Sequence, residues 1–88
     1  MKVIATRNFE KQLKACPVHI QKKVNEVYVK LLACKKLGEI TSLEKLTGFK
    51  RDYYRIRIGT YRLGFELIEA KIELLAFMHR KEIYRFFP

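Results

Sequence analysis

Six residues able to do chemistry stand in two short stretches of the 88-residue sequence. Arg55, Arg57 and Arg62 lie in RDYYRIRIGTYRLGFEL, which runs from Arg51 to Leu67. His79, Arg80 and Tyr84 lie in the closing stretch HRKEIYRFFP. An arginine fork grips two phosphate oxygens at once and also stacks on bases. Near a reacting phosphate it stabilises the charge of the transition state. Histidine exchanges protons near neutral pH, and a phenol donates a proton or offers a stacking ring. Together these types point to a polyanion and to phosphoryl chemistry. Singly, each has a plainer reading: strand arginines serve solubility, and a histidine at a strand end is commonly a surface or core residue.

Other chemistries are not legible. There is no Ser-His-Asp or Cys-His arrangement, no glycine-rich phosphate loop, and no carboxylate cluster of the two-metal kind. Cys16 and His19 have a metal-like spacing, but no further ligands complete a set. Two cysteines, Cys16 and Cys34, are too few for a disulfide scaffold, so reduced and partly buried thiols are expected. Neither cofactor nor metal is expected. A nuclease made from these residues would take the neighbouring 2′-hydroxyl of RNA as its nucleophile.

The charge supports that direction. Nineteen Lys and Arg against nine Asp and Glu leave +10, a field that favours nucleic acid, an acidic protein or an anionic surface. Apolar residues are 49% of the chain, enough for one folded domain over residues 1–88. The longest apolar runs are a few residues, so no membrane partner is expected. The opening MKVIATRNFEKQ lacks the apolar region of a secretion signal, so the expected compartment is the cytoplasm.

Positioning elements follow from periodicity. Lys2 to Ala5 reads as a strand, with Thr6 as the N-cap of a first helix carrying Phe9 and Leu13 on one face. Pro17 suits the start of a second helix, where a missing N–H costs little. Ile20, Val24, Val27 and Leu31 form its apolar stripe. Lys35 to Thr47, with Gly38 inside it and Gly48 just beyond, reads as a connection with one short ordered turn. From Tyr53 the period becomes two: Tyr54, Ile56 and Ile58 alternate with Tyr53, Arg55 and Arg57. Gly59-Thr60 suits a type II′ hairpin turn. The returning strand puts Tyr61, Leu63, Phe65 and Leu67 on one face and Arg62, Gly64 and Glu66 on the other. A third strand runs from Lys71 to about Met78, and a short helix or tail ends the chain. The expectation is an α+β domain of order β-α-α-β-β-β, with a helical hairpin on a small, mainly antiparallel twisted sheet. Arg55, Arg57 and Arg62 then share the open face. Gly64 beside Arg62 leaves a depression there, and Tyr53 offers a stacking platform.

The run LTGFKRDYYRIRIGTYRLGFELIEAKIELLAFMHRKEIYR, from Leu46 to Arg85, resembles the RelE/ParE superfamily of toxins from toxin–antitoxin modules. RNFEKQLKACPVHIQKKVNEVYVKLL is similar to that family's helical hairpin, and YRIRIGTYRL and HRKEIYR are the most specific parts. The resemblance implies the β-α-α-β-β-β(-α) fold and two activities. RelE-type members cleave mRNA in the ribosomal A site; ParE-type members inhibit DNA gyrase. The set at Arg55, Arg57, Arg62, Arg80 and Tyr84 implies the RelE type, a metal-independent endoribonuclease. The alternatives are a gyrase inhibitor and an inactive antitoxin-binding homologue. Arg62 and Arg80 are expected to stabilise transition-state charge, Tyr84 to stack or donate a proton, and His79 to act as acid or base. Arg55, Arg57, Tyr53, Lys50, Arg51 and Lys81 are expected to contact RNA. The implied partners are an acidic, partly flexible antitoxin and the ribosomal A site with its mRNA and rRNA. The best-known RelE pattern has lysines where this chain has Arg55 and Arg57, and its Arg-to-Tyr spacing is longer. Arginine is effectively never deprotonated, so either His79 or a carboxylate such as Glu82 takes the proton, or activity is slower and rests on electrostatics and positioning.

Overall fold

The computed structural model describes all 88 residues. In chain order the elements are β1 (Lys2–Ala5), α1 (Arg7–Lys14), α2 (Val18–Ala33), a 3₁₀ turn (Leu37–Glu39), β2 (Leu43–Lys45), β3 (Asp52–Ile58), β4 (Tyr61–Ile68), β5 (Lys71–His79) and α3 (Arg80–Phe86). One five-stranded sheet has the order β1-β5-β4-β3-β2, with β1 parallel to β5 and all other pairs antiparallel. The expected α+β domain is therefore present, with one strand more than its periodicity announces.

Thr6 shows how sequence sets the first corner. Its hydroxyl accepts the Phe9 N–H at 3.3 Å and donates to the Leu74 carbonyl at 2.7 Å. One side chain thus caps α1 and fastens it to β5. Pro17 is the N-cap of α2. On α2, Val24 and Leu31 are buried and Ile20 and Val27 are packed against them. Burying such side chains is worth about 1.5–3 kcal/mol each, far more than helix propensity supplies. Phe9, Ile56, Leu63, Phe65, Leu74 and Phe77 complete the centre of this core between the helical hairpin and the sheet.

The Lys35–Thr47 segment holds more than a turn. β2 pairs with β3 through Leu43↔Ile56, Glu44↔Arg55 and Lys45↔Tyr54. Three residues are too few to display a period, and this strand is specified by the β3 edge it covers.

A bulge in β5 changes which residues face where. Gly64 pairs with Ala76 but Phe65 pairs with Leu74, so Leu75 is the extra residue. Strict alternation from Ile72 and Leu74 would have sent Phe77 and His79 to the open face. The bulge reverses this, and Phe77 stacks on Tyr61 and meets Phe9 edge-on within the main core. Ala76 and Met78 take the open face instead, where Ala76, Ile83 and Phe87 make a second small core with Tyr53 and Leu46 around it. This second core docks α3. The Gly64 depression is consequently filled: a Cβ on Gly64 would lie 2.8 Å from the Phe87 ring.

Candidate functional site

The β3–β4 hairpin is the frame of the site. Gly59 has φ +60° while Thr60 does not have positive φ, the pattern of a type II′ turn. The turn sets the register Ile58↔Tyr61, and hence Arg57↔Arg62 and Arg55↔Gly64. Arg57 and Arg62 therefore stand directly opposite each other, with Cβ atoms about 5 Å apart. Like charges so placed disfavour the folded state, so the pair is a local cost. Arg62 is steadied by neutral groups alone: its Nη1 donates to the Gly59 carbonyl at 3.0 Å and the Tyr61 carbonyl at 2.9 Å. Neither Arg57 nor Arg62 has an ion-pair partner.

Arg55 is differently placed. Its Nε and Nη2 donate to Glu44 Oε1 at 3.1 and 2.9 Å, and its guanidinium lies over the Tyr84 ring at 4.6 Å from the centroid. Its side chain is only 13% exposed, so bond and stack are partly shielded from water. Tyr84 itself is well exposed. Ser42, Leu43, Glu44, Arg55, Arg57, Arg62 and Tyr84 surround a cavity of about 320 Å³. The cavity is thus assembled from β2, the β3–β4 hairpin and α3. It offers two uncompensated cations, one paired cation, one carboxylate and one phenol.

The other expected residues lie around this cavity or away from it. Arg80 is exposed and one helical turn from Tyr84 on α3, so the two share a side of that helix. Its backbone N–H donates to the Thr60 carbonyl at 2.8 Å, which ties the start of α3 to the hairpin turn. Lys81 follows it and is exposed. His79 faces the helical hairpin, where its ring meets Tyr61 edge-on at 5.9 Å, and its Nδ1 accepts the Lys81 N–H at 3.3 Å as the N-cap of α3. The bulge at Leu75 is what turns it away from Arg62. Glu82 borders a separate hollow with Asn8, Gln12 and Phe86. Tyr53 is wedged edge-on between Phe49 at 5.6 Å and Phe87 at 5.7 Å, a packing position rather than an open platform. Arg51 pairs with the buried Glu66 at 3.3 Å, and Lys50 is exposed in the loop before β3.

Glu44 and Ser42 belong to the cavity, yet no sequence signal singled them out. The available sign was weak: in LEKL, Leu43 and Leu46 flank a charged pair. Elsewhere, burial pushes the Cys16 thiol up, with a bond to Tyr61 partly opposing it, so this cysteine stays protonated at neutral pH.

Residues 3–84 match the family model described as ParE toxin of type II toxin-antitoxin system, parDE. Toxin RelE3 of Methanocaldococcus jannaschii is 36% identical over 89 aligned residues, covering all of both chains. Among solved structures, the RelB-RelE antitoxin-toxin complex from Methanococcus jannaschii matches with a TM-score of 0.80 at 32% identity, over 97% of this chain and 99% of that one. The archaeal RelE-RelB complex from Pyrococcus horikoshii has a TM-score of 0.72 at 23% identity, over 90% and 93% of the two chains, a likeness of fold.

Proposed function

The chain belongs to the RelE/ParE superfamily of type II toxins, and from that premise we propose that it cleaves ribosome-bound mRNA without a metal. The observation that carries this reading is the convergence of Arg55, Arg57, Arg62 and Tyr84 on one cavity from three separate elements. Two uncompensated arginines held face to face favour a ligand that brings negative charge between them. A phosphodiester in that position relieves their repulsion, and more so as charge builds on the transition-state oxygens. Arg57 and Arg62 hold the scissile phosphate, and Arg80 approaches it from the first turn of α3. Tyr84, kept in place by Arg55, stacks on a base or gives a proton to the leaving 5′-oxygen. The chemical step is attack by the adjacent 2′-hydroxyl, leaving a 2′,3′-cyclic phosphate.

The same cationic face suits an antitoxin. The solved relatives are toxin–antitoxin complexes, and an acidic, partly flexible segment would cover this cavity and silence it. We place both events in the cytoplasm, where ribosomes and the partner meet.

The test is to induce the chain in growing cells and map the 5′ ends of messages on ribosomes. New ends within translated codons should appear, and Arg62→Ala should reduce them by about 10²- to 10³-fold, the loss seen when one oxyanion donor is removed. Intact messages accompanied by supercoiling defects would instead identify a gyrase inhibitor and end the nuclease reading.

A further inference from the structure

Cleavage by the 2′-hydroxyl needs a group that takes its proton. The three arginines of the cavity cannot do so, because a guanidinium does not deprotonate in proteins. His79 lies across the sheet against Tyr61, and Glu82 borders a different hollow. One carboxylate lines the cavity itself, that of Glu44. We infer that Glu44, on the edge strand β2, is the proton acceptor of the reaction.

The geometry suits the task. The register Glu44↔Arg55 puts the carboxylate on the same face as the arginines. Both bonds from Arg55 go to Oε1, which fixes the group and leaves Oε2 without a protein partner. Arg55 and Arg57 from β3, Arg62 from β4 and Tyr84 from α3 are the charged and titratable groups that face it. Its strand neighbour Lys45 points to the other side, toward Asp52 at 3.4 Å. In the step, Oε2 takes the 2′-hydroxyl proton as the O2′–phosphorus bond forms. The bond from phosphorus to O5′ breaks, and the Tyr84 phenol supplies the proton for the leaving oxygen. Glu44 and Tyr84 then return to their starting forms by exchange with solvent. Overall charge is conserved, and neither oxidant nor metal enters. This assignment also gives β2 a purpose that its three residues do not advertise, since the strand brings the base to the phosphate site.

The inference rests on the endonuclease reading, and the test separates the two. Single-turnover cleavage of mRNA on programmed ribosomes is measured against pH for the wild type, Glu44→Gln and Arg62→Ala. Binding is measured in parallel on ribosomes whose A-site codon carries 2′-O-methyl groups. Glutamine keeps an acceptor for Arg55 but no basic oxygen. Cleavage by Glu44→Gln should fall by about 10²- to 10⁴-fold, the usual range for a general base. The acidic limb of its pH profile should vanish, while binding and melting temperature hold. Glu44→Asp should recover the acidic limb. Cleavage within about threefold of wild type, or an unchanged acidic limb, overturns the role of Glu44 alone. A parallel loss of binding and cleavage also overturns it, by reducing Glu44 to a support for Arg55. A wild-type protein that cuts nothing on ribosomes overturns the endonuclease reading itself.

Discussion

Substituting Gly64 by alanine probes whether the docking of α3 rests on one close contact. A Cβ at residue 64 would meet three atoms of the Phe87 ring at 2.8, 2.8 and 2.9 Å, closer than real Cβ contacts run. Two responses compete. The ring can back away while staying docked, an overpacking cost of about 1–3 kcal/mol. Alternatively Phe87 can leave altogether. That forfeits about 3 kcal/mol for burial of its side chain and about 1 kcal/mol for its edge contact with Tyr53, a ceiling of about 4 kcal/mol. The cheaper response wins, so the expected loss is about 1–3 kcal/mol, or roughly 5–20 °C in melting temperature for a domain of this size. Urea denaturation of Gly64→Ala, Phe87→Ala and the double variant measures it. In the Phe87→Ala background the clash partner is gone, and Gly64→Ala should cost less than about 0.5 kcal/mol. A single-variant cost below about 0.5 kcal/mol, or one undiminished in the double variant, refutes the account of how α3 is held. Because α3 carries Arg80 and Tyr84, Gly64→Ala should also lower activity in proportion to undocking.

Arg57→Thr should separate stability from function, since it removes a like charge directly opposite Arg62. Denaturant unfolding should show a gain of about 0.2–1 kcal/mol. Single-stranded RNA binding should weaken, and its slope against log salt should fall by about 0.7 for one lost phosphate contact. Thr6→Ala removes the α1 cap and the bond to Leu74, and should cost about 1–2 kcal/mol by thermal unfolding, with no change in RNA affinity. Glu39 accepts the backbone N–H groups of Lys36 and Lys35, both at 2.9 Å, which holds its carboxyl below the ordinary 4.5. A depressed folded-state value gives stability that is fully present above pH 4.5 and is lost below it, as pH falls through the lower folded-state value. Glu39→Gln should therefore be less stable than wild type at pH 7 and approach it below pH 4.5, as read by unfolding across that range.

The main sheet and the helical hairpin were legible because burial imposes a period on long elements. Ile20 to Leu31 repeat at helical spacing, and Tyr53 to Leu67 alternate around a glycine-led turn. The same alternation put Arg55, Arg57 and Arg62 on one face, and the four-residue step from Arg80 to Tyr84 put both on one side of α3. What escaped was decided by contacts distant in sequence. β2 exists because β3 has an edge to cover, and Glu44 enters the cavity only through that pairing. The Leu75 bulge is stitched from outside the sheet, with Asn8 donating to the Leu75 carbonyl at 2.9 Å and the Phe77 N–H reaching Gln12 at 2.8 Å. No local signal in IELLAFMH announces those partners, and strict alternation along β5 would put Phe77 and His79 on the face opposite to the one they occupy. Tyr53 and Gly64 likewise read as open because Phe87 lies more than twenty residues away.

These tertiary decisions bear on the chemistry together. The bulge frees the open face of β5 for Ala76 and Met78, small enough and apolar enough to receive Ile83 and Phe87. That docking brings Tyr84 over Arg55, and the stack in turn steadies the arginine that Glu44 grips. The anion site is thus completed by an element anchored through a second core, separate from the one that holds the sheet and hairpin together. The arginine pair on the hairpin persists without α3, whereas the phenol does not. Loss of α3 docking should therefore abolish cleavage while leaving phosphate affinity largely in place. Removal of Arg62 should reduce both.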